Sequence, residues 1–117
     1  MQKRHSLSQI LGIEHPIIVA PMFLVSNEEM VVQSCENGAT AAIPALNYRT
    51  NEELKIAIQN IKKRTKKPFG INLIVNKSNP KYKKQLEVLL KEKVDYIITS
   101  LGSPEEIINR CKPLGIK

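Results

Sequence analysis

The stretch IIVAPMFLVSNEEM, residues 17–30, runs from an apolar segment through a glycine-free loop into an acidic helix start. Ile17 to Ala20 reads as a strand covered on both faces, because it lacks the polar/apolar alternation of a half-solvated strand. Pro21 removes a backbone donor, and Met22 follows, so the strand is expected to stop there. Ser26-Asn27-Glu28-Glu29 has the S-x-x-E spacing of a helix capping box. In a doubly wound nucleotide-binding sheet, the first such turn carries glycines that let the backbone approach a phosphate. Here the turn is PMFLVS, without a glycine, and this favours a β/α unit of the barrel kind.

The same unit recurs. Strand-like runs stand at TAAIPA (40–45), FGINLIV (69–75) and YIITS (96–100), and a helical pattern follows each. Start signals precede the helices: Thr50 with Glu53, Asn79 before Pro80, and Ser103-Pro104-Glu105-Glu106. Apolar stripes follow at helical spacing: Leu54, Ala57, Ile58 and Ile61, then Tyr82, Leu86, Leu89 and Leu90, then Ile107, Ile108 and Cys111. Gly38 and Pro68 mark helix ends. Ser6 to Leu11 reads as a short helical lead-in, and Gly115-Ile116-Lys117 as the opening of a fifth strand. Four strand–helix units predict an α/β fold with parallel strands in the order 1-2-3-4 and right-handed crossovers. A closed (β/α)8 barrel takes about 250 residues. Residues 1–117 are therefore expected to form one domain, the first half of such a barrel, truncated after four units.

Composition narrows the classes of function. The chain is 42% hydrophobic and 25% charged, with a formal net charge of +7. The basic clusters KKRTKK (62–67), KYKK (81–84) and KEK (91–93) lie on or beside helices that also carry an apolar stripe, as solvated outer faces do. Only Tyr82 is an aromatic among those lysines, which gives no stacking platform for nucleic acid. No apolar run approaches the ~18–20 residues of a membrane span, and no apolar segment follows the basic opening MQKRHSLSQ as a signal peptide would require. Cys35 and Cys111 are far apart, each on a helical stripe, without metal spacing. They read as buried free thiols, which points to the cytoplasm.

In a barrel, chemistry sits at the C-terminal ends of the strands. Those places are Ala20-Pro21-Met22, Ala45 to Arg49, Asn72 and Thr99 to Gly102. Asn72 stands out, because a carboxamide between Ile71 and Leu73 in a buried strand needs partners. It faces either a ligand or a neighbouring loop backbone. His5 and His15 precede the first strand, at the opposite face, where surface or structural roles are expected. No nucleophile–base pair, metal motif or phosphate-binding loop is present, so no catalytic or metal-binding residue is assigned in this chain.

HPIIVAPM (15–22), NGATAAIPA (37–45), KKPFGINLIV (66–75) and VDYIITSLGSP (94–104) resemble the opening of the nitronate monooxygenase family, also called 2-nitropropane dioxygenases. The resemblance implies a flavin-dependent (β/α)8 barrel with FMN across its C-terminal mouth. It implies that Ala20, Pro21 and Met22 lie against the flavin ring and that Asn72 contacts FMN. The implied substrates are an alkyl nitronate and molecular oxygen. The family's histidine base and glycine-rich phosphate loops lie further along the barrel than this chain extends, and neither His5 nor His15 matches the histidine motif, so the chain alone is expected to be inactive. An FMN- and NAD(P)H-dependent enoyl-thioester reductase on the same barrel is the alternative enzyme, and a non-catalytic basic binding module the alternative class. Half a barrel also implies self-association through its exposed edges.

Overall fold

The computed structural model describes residues 4–117; the first three residues of the basic opening lie outside the described residues. The elements follow chain order: α1 (Leu7–Leu11), β1 (Ile18–Val19), α2 (Glu28–Glu36), β2 (Thr40–Pro44), α3 (Asn51–Arg64), β3 (Gly70–Ile74), α4 (Tyr82–Glu92), β4 (Tyr96–Ser100) and α5 (Glu105–Cys111). Short 3-10 turns, Ala45–Asn47 and Lys112–Leu114, follow β2 and α5. The four strands form one parallel sheet in the order β1-β2-β3-β4. This is the α/β fold that the repeating strand–helix pattern predicts.

Alternation along the strands divides the sheet into two faces. Ala41, Ile43, Ile71 and Leu73 point to one side and are no more than 1% exposed, packed in the main core with Leu54, Ile58, Ile61, Leu86 and Leu89 of the helices. The other, inner face carries Ala42, Tyr96, Ile18 and Ile98 with Leu11 and Ile13. Thr40 shares this face, because Ile18 is its register partner. Thr40 donates to the Pro68 carbonyl (2.8 Å), so the Tyr96 hydroxyl, 3.0 Å away, must donate to Thr40 Oγ1. The Tyr96 ring lies over Gly70, where an added Cβ would come within 2.1 Å of it.

β1 is shorter than Ile17 to Ala20, and the register explains why. Ile18 pairs with Thr40 and Val19 with Ala41. Extending that parallel ladder by one step needs the N–H groups of Pro21 and Pro44, and neither exists. Pro44 is tolerated inside β2 because its nitrogen faces β1, leaving the β2–β3 ladder intact through Asn72.

Three helix starts also differ from the sequence reading. Asn27, not Ser26, caps α2, accepting from Met30 N–H at 2.8 Å; Ser26 is turned back into the loop. α4 begins at Tyr82 with Lys81 at its N-cap and no side-chain cap; Asn79, only 2% exposed, sits one turn earlier, where its Oδ1 accepts from Lys81 N–H at 3.2 Å and its Nδ2 donates inward to the Ile74 carbonyl and Gln85 Oε1, both at 2.9 Å. α5 likewise has Pro104 at its N-cap, with Ser103 Oγ reaching only Glu105 N–H at 3.3 Å. Thr50 does cap α3, accepting from Glu53 N–H at 3.1 Å.

The lysines of the three basic clusters lie almost entirely on exposed outer surface, while Cys35 and Cys111 are buried free thiols. Burial raises the pKa of both thiols above the usual 9.0. Beside β4, Lys117 N–H donates to the Asp95 carbonyl (3.1 Å) and Ile97 N–H to the Lys117 carbonyl (2.8 Å), the spacing of a parallel strand. Among the described residues, no helix is long and apolar enough to cross a membrane.

Candidate functional site at the strand ends

All four strands run in one direction, so their C-terminal ends gather on one rim of the sheet. Pro44, Asn72 and Ile98 stand side by side in register on the inner face just below this rim. Asn72 is half-buried there, while its neighbours Ile71 and Leu73 point into the helix layer with no exposed surface. The alternation thus delivers one polar side chain to the inner wall and two apolar ones to the core.

The Asn72 carboxamide is partly committed within the chain. Its Nδ2 donates to the Ile98 carbonyl at 2.9 Å and to Ser100 Oγ at 2.8 Å. A backbone carbonyl can only accept, which fixes this end of the amide as nitrogen. Oδ1 has no partner among the described residues, so the group faces the inner side as an acceptor. The sequence leaves open whether this amide serves a ligand or a neighbouring backbone; the structure gives its donors to β4 and leaves its acceptor free.

Ala20 and Met22 are exposed at the end of β1, with Pro21 half-buried between them. The Met22 N–H is taken by Ser26 Oγ at 2.8 Å, and the Met22 carbonyl accepts from Val25 and Ser26 N–H. What Met22 itself offers outward is therefore its side chain, because its backbone N–H and carbonyl are both taken. The loop is held from the next strand: Asn47 Oδ1 accepts from Leu24 N–H, and Asn47 Nδ2 donates to the Ser26 carbonyl, both at 2.8 Å. Nothing in the sequence around Asn47 distinguishes it from an ordinary turn residue, because both partners lie more than twenty positions away.

Arg49 and the imidazole of His15 are exposed, and His15 lies by Gly38 at the opposite end of the sheet, its backbone N–H on the Gly38 carbonyl at 2.8 Å. An apolar groove of about 510 Å³ runs between β4 and α5, lined by Ile97, Thr99, Ile107, Cys111 and Ile116. It is on the helix side of the sheet, away from Asn72.

Parallel strand–helix units with a mostly apolar inner wall and a few directed polar groups at the strand ends define a barrel-type chain, and barrels of this kind hold their ligands at the C-terminal side of the strands. A family model described as nitronate monooxygenase matches residues 4–84, and the chain belongs to that family, whose members are flavin-dependent oxidoreductases. A probable nitronate monooxygenase of Staphylococcus haemolyticus is 36% identical over 75 residues, 64% of this chain and 21% of that protein. A (3aS,4S,5R,7aS)-5-hydroxy-7a-methyl-1-oxo-octahydro-1H-indene-4-carboxyl-CoA dehydrogenase of Mycobacterium tuberculosis is 28% identical over 98% of this chain and 32% of its own length. The solved structure of FabK from Thermotoga maritima, a (β/α)8 barrel, superposes with a TM-score of 0.88 at 28% identity, covering 99% of this chain and 36% of that one. The chain spans a third or less of the curated relatives it matches.

Proposed function

We propose that the chain forms the N-terminal half, four of eight strands, of a barrel that holds FMN across its C-terminal mouth and oxidises alkyl nitronates with molecular oxygen. The observation that carries this reading is the inner wall at the strand ends, where the exposed Met22 thioether and the unpartnered acceptor of Asn72 stand on one rim. Such a wall fits a flat heteroaromatic group, which needs an apolar surface to lie on and a few directed polar contacts at its edge. Ala20, Pro21 and Met22 would bound one side of the ring. Asn72 Oδ1 would accept from a cofactor N–H or hydroxyl. FMN would supply the electron-accepting centre between nitronate and oxygen. No residue of this chain is proposed as the catalytic base or as the phosphate anchor, so these 117 residues alone are inactive on this reading. The two reduced, buried thiols fit a cytoplasmic protein.

A second reading is an FMN- and NAD(P)H-dependent reductase of enoyl thioesters on the same barrel. FabK and the carboxyl-CoA dehydrogenase match nearly the whole chain, whereas the probable nitronate monooxygenase matches 64% of it. The test uses the complete protein that carries these units, loaded with FMN. Oxygen uptake driven by an alkyl nitronate, without NAD(P)H, is expected. NAD(P)H consumption driven by an enoyl thioester, with no nitronate turnover, would replace the first reading by the second. A protein that takes up no FMN would end both.

A further inference from the structure

The loop from Met22 to Ser26 has an unusual combination of features. Met22, Phe23, Leu24 and Val25 are 42%, 61%, 71% and 60% exposed, so the tip gains little from burial. Leu24 nevertheless stands at φ 61°, in the left-handed region that a residue with a Cβ enters only at an energetic cost. An exposed apolar tip would relax from such a shape unless something polar held it. Asn47 does so by two hydrogen bonds at once, taking the Leu24 N–H on Oδ1 and giving its amide N–H to the Ser26 carbonyl. Ser26 passes the constraint on, because its Oγ accepts from the Met22 N–H and its own N–H donates to the Met22 carbonyl at 2.8 Å. The chain of contacts runs from the 3-10 turn after β2, through Leu24 and Ser26, to the residue that projects its thioether at the rim.

We infer that Asn47 is a positioning residue for the ligand at the mouth: it touches no ligand itself but fixes the left-handed Leu24 and, through Ser26, the place of Met22. The inference rests on the flavin reading above and names a residue on which cofactor affinity depends. A loop without the clamp would sample several shapes, and the ligand would have to select the competent one, so affinity falls by the fraction competent. Such a loss needs no change in any residue at the ligand surface.

Two variants and three measurements test this. Hydrogen exchange at the Leu24 amide is followed in the 117-residue chain, and FMN affinity and melting temperature in the complete protein. In Asn47→Ala, Leu24 is expected to exchange at least about tenfold faster and FMN to bind roughly tenfold more weakly, with a melting temperature close to the parent's. Asn47→Asp keeps the acceptor for Leu24 but sets a carboxylate oxygen against the Ser26 carbonyl in place of the donor. It should keep Leu24 more protected than Asn47→Ala does while still weakening FMN binding, and it is the working variant if Asn47→Ala does not fold. Unchanged Leu24 exchange in Asn47→Ala, or a freed loop with unchanged FMN affinity, would overturn the inference. So would FMN affinity that falls only in step with the melting temperature, the mark of a general structural role. A parent protein that takes up no FMN would defeat the flavin reading and with it the cofactor role of Asn47, while the Leu24 exchange would separately report whether the clamp exists.

Discussion

Asn72 spends its two amide hydrogens on the Ile98 carbonyl and Ser100 Oγ, which makes it both a strut between β3 and β4 and an acceptor at the rim. These two duties separate under substitution. Asn72→Ala removes both and leaves the Ile98 carbonyl one donor short, an expected loss of about 1 kcal/mol in stability. Asn72→Asp keeps an acceptor at the rim but sets a carboxylate oxygen against the Ile98 carbonyl, so it should lose more, about 1–3 kcal/mol. Urea melts of the two variants check the order. An aspartate variant as stable as the parent would show that the strut contributes nothing. If the acceptor serves FMN, Asn72→Ala should also weaken cofactor binding in the complete protein, roughly tenfold, when measured by flavin fluorescence.

Strand and helix identities come from signals that are local in sequence, which is why most of them can be read before any coordinates. The cap at Thr50, the stripe from Leu54 to Ile61 and the left-handed Gly38 after α2 each lie within a few residues of what they control. The errors arise where the deciding partner is remote. β1 stops early because Pro44 of another strand lacks the donor that Pro21 also lacks, and Asn79 is held one turn before α4 by its inward bonds to Ile74 and the buried Gln85. In the site, Asn72 is visible as a polar residue in an apolar run, but its commitment to β4 and the reach of Asn47 to the preceding loop depend on register and packing. Gly70 is a related case: inside a strand it reads as a weakness, yet the Tyr96 ring occupies the space where its Cβ would be. Gly70→Ala is therefore expected to destabilise the chain by about 1–3 kcal/mol. Replacing the ring as well, in Gly70→Ala with Tyr96→Leu, should cost less than the sum of the two single changes, because both act on one volume. Additive losses in thermal or urea melts would mean that the ring moves aside freely.

At the scale of the whole chain, the sheet ends in two edges with no full strand paired to them among the described residues: the outer edge of β1, and the edge of β4 beyond the single position begun at Lys117. Unpaired strand flanks and bare apolar side chains both favour association. Ile17 is 54% exposed beside β1, Phe23 and Leu24 are 61% and 71% exposed at the rim, Leu101 is 69% exposed after β4, and the groove of about 510 Å³ along α5 is lined mainly by apolar side chains. A formal net charge of +7 opposes association, because identical copies repel one another. Salt separates the two influences: it screens the repulsion over a distance that shrinks to about 8 Å at physiological ionic strength, and it leaves apolar contact intact. The purified 117-residue chain is therefore expected to show, by light scattering after size exclusion, a mass above 13.2 kDa that rises with protein concentration and with salt. A basic binding module predicts the opposite trend, since its assemblies with nucleic acid would dissociate as salt rises. A single 13.2 kDa species at every salt concentration, melting cooperatively, would show that the exposed flanks and rim are stable in water without a partner.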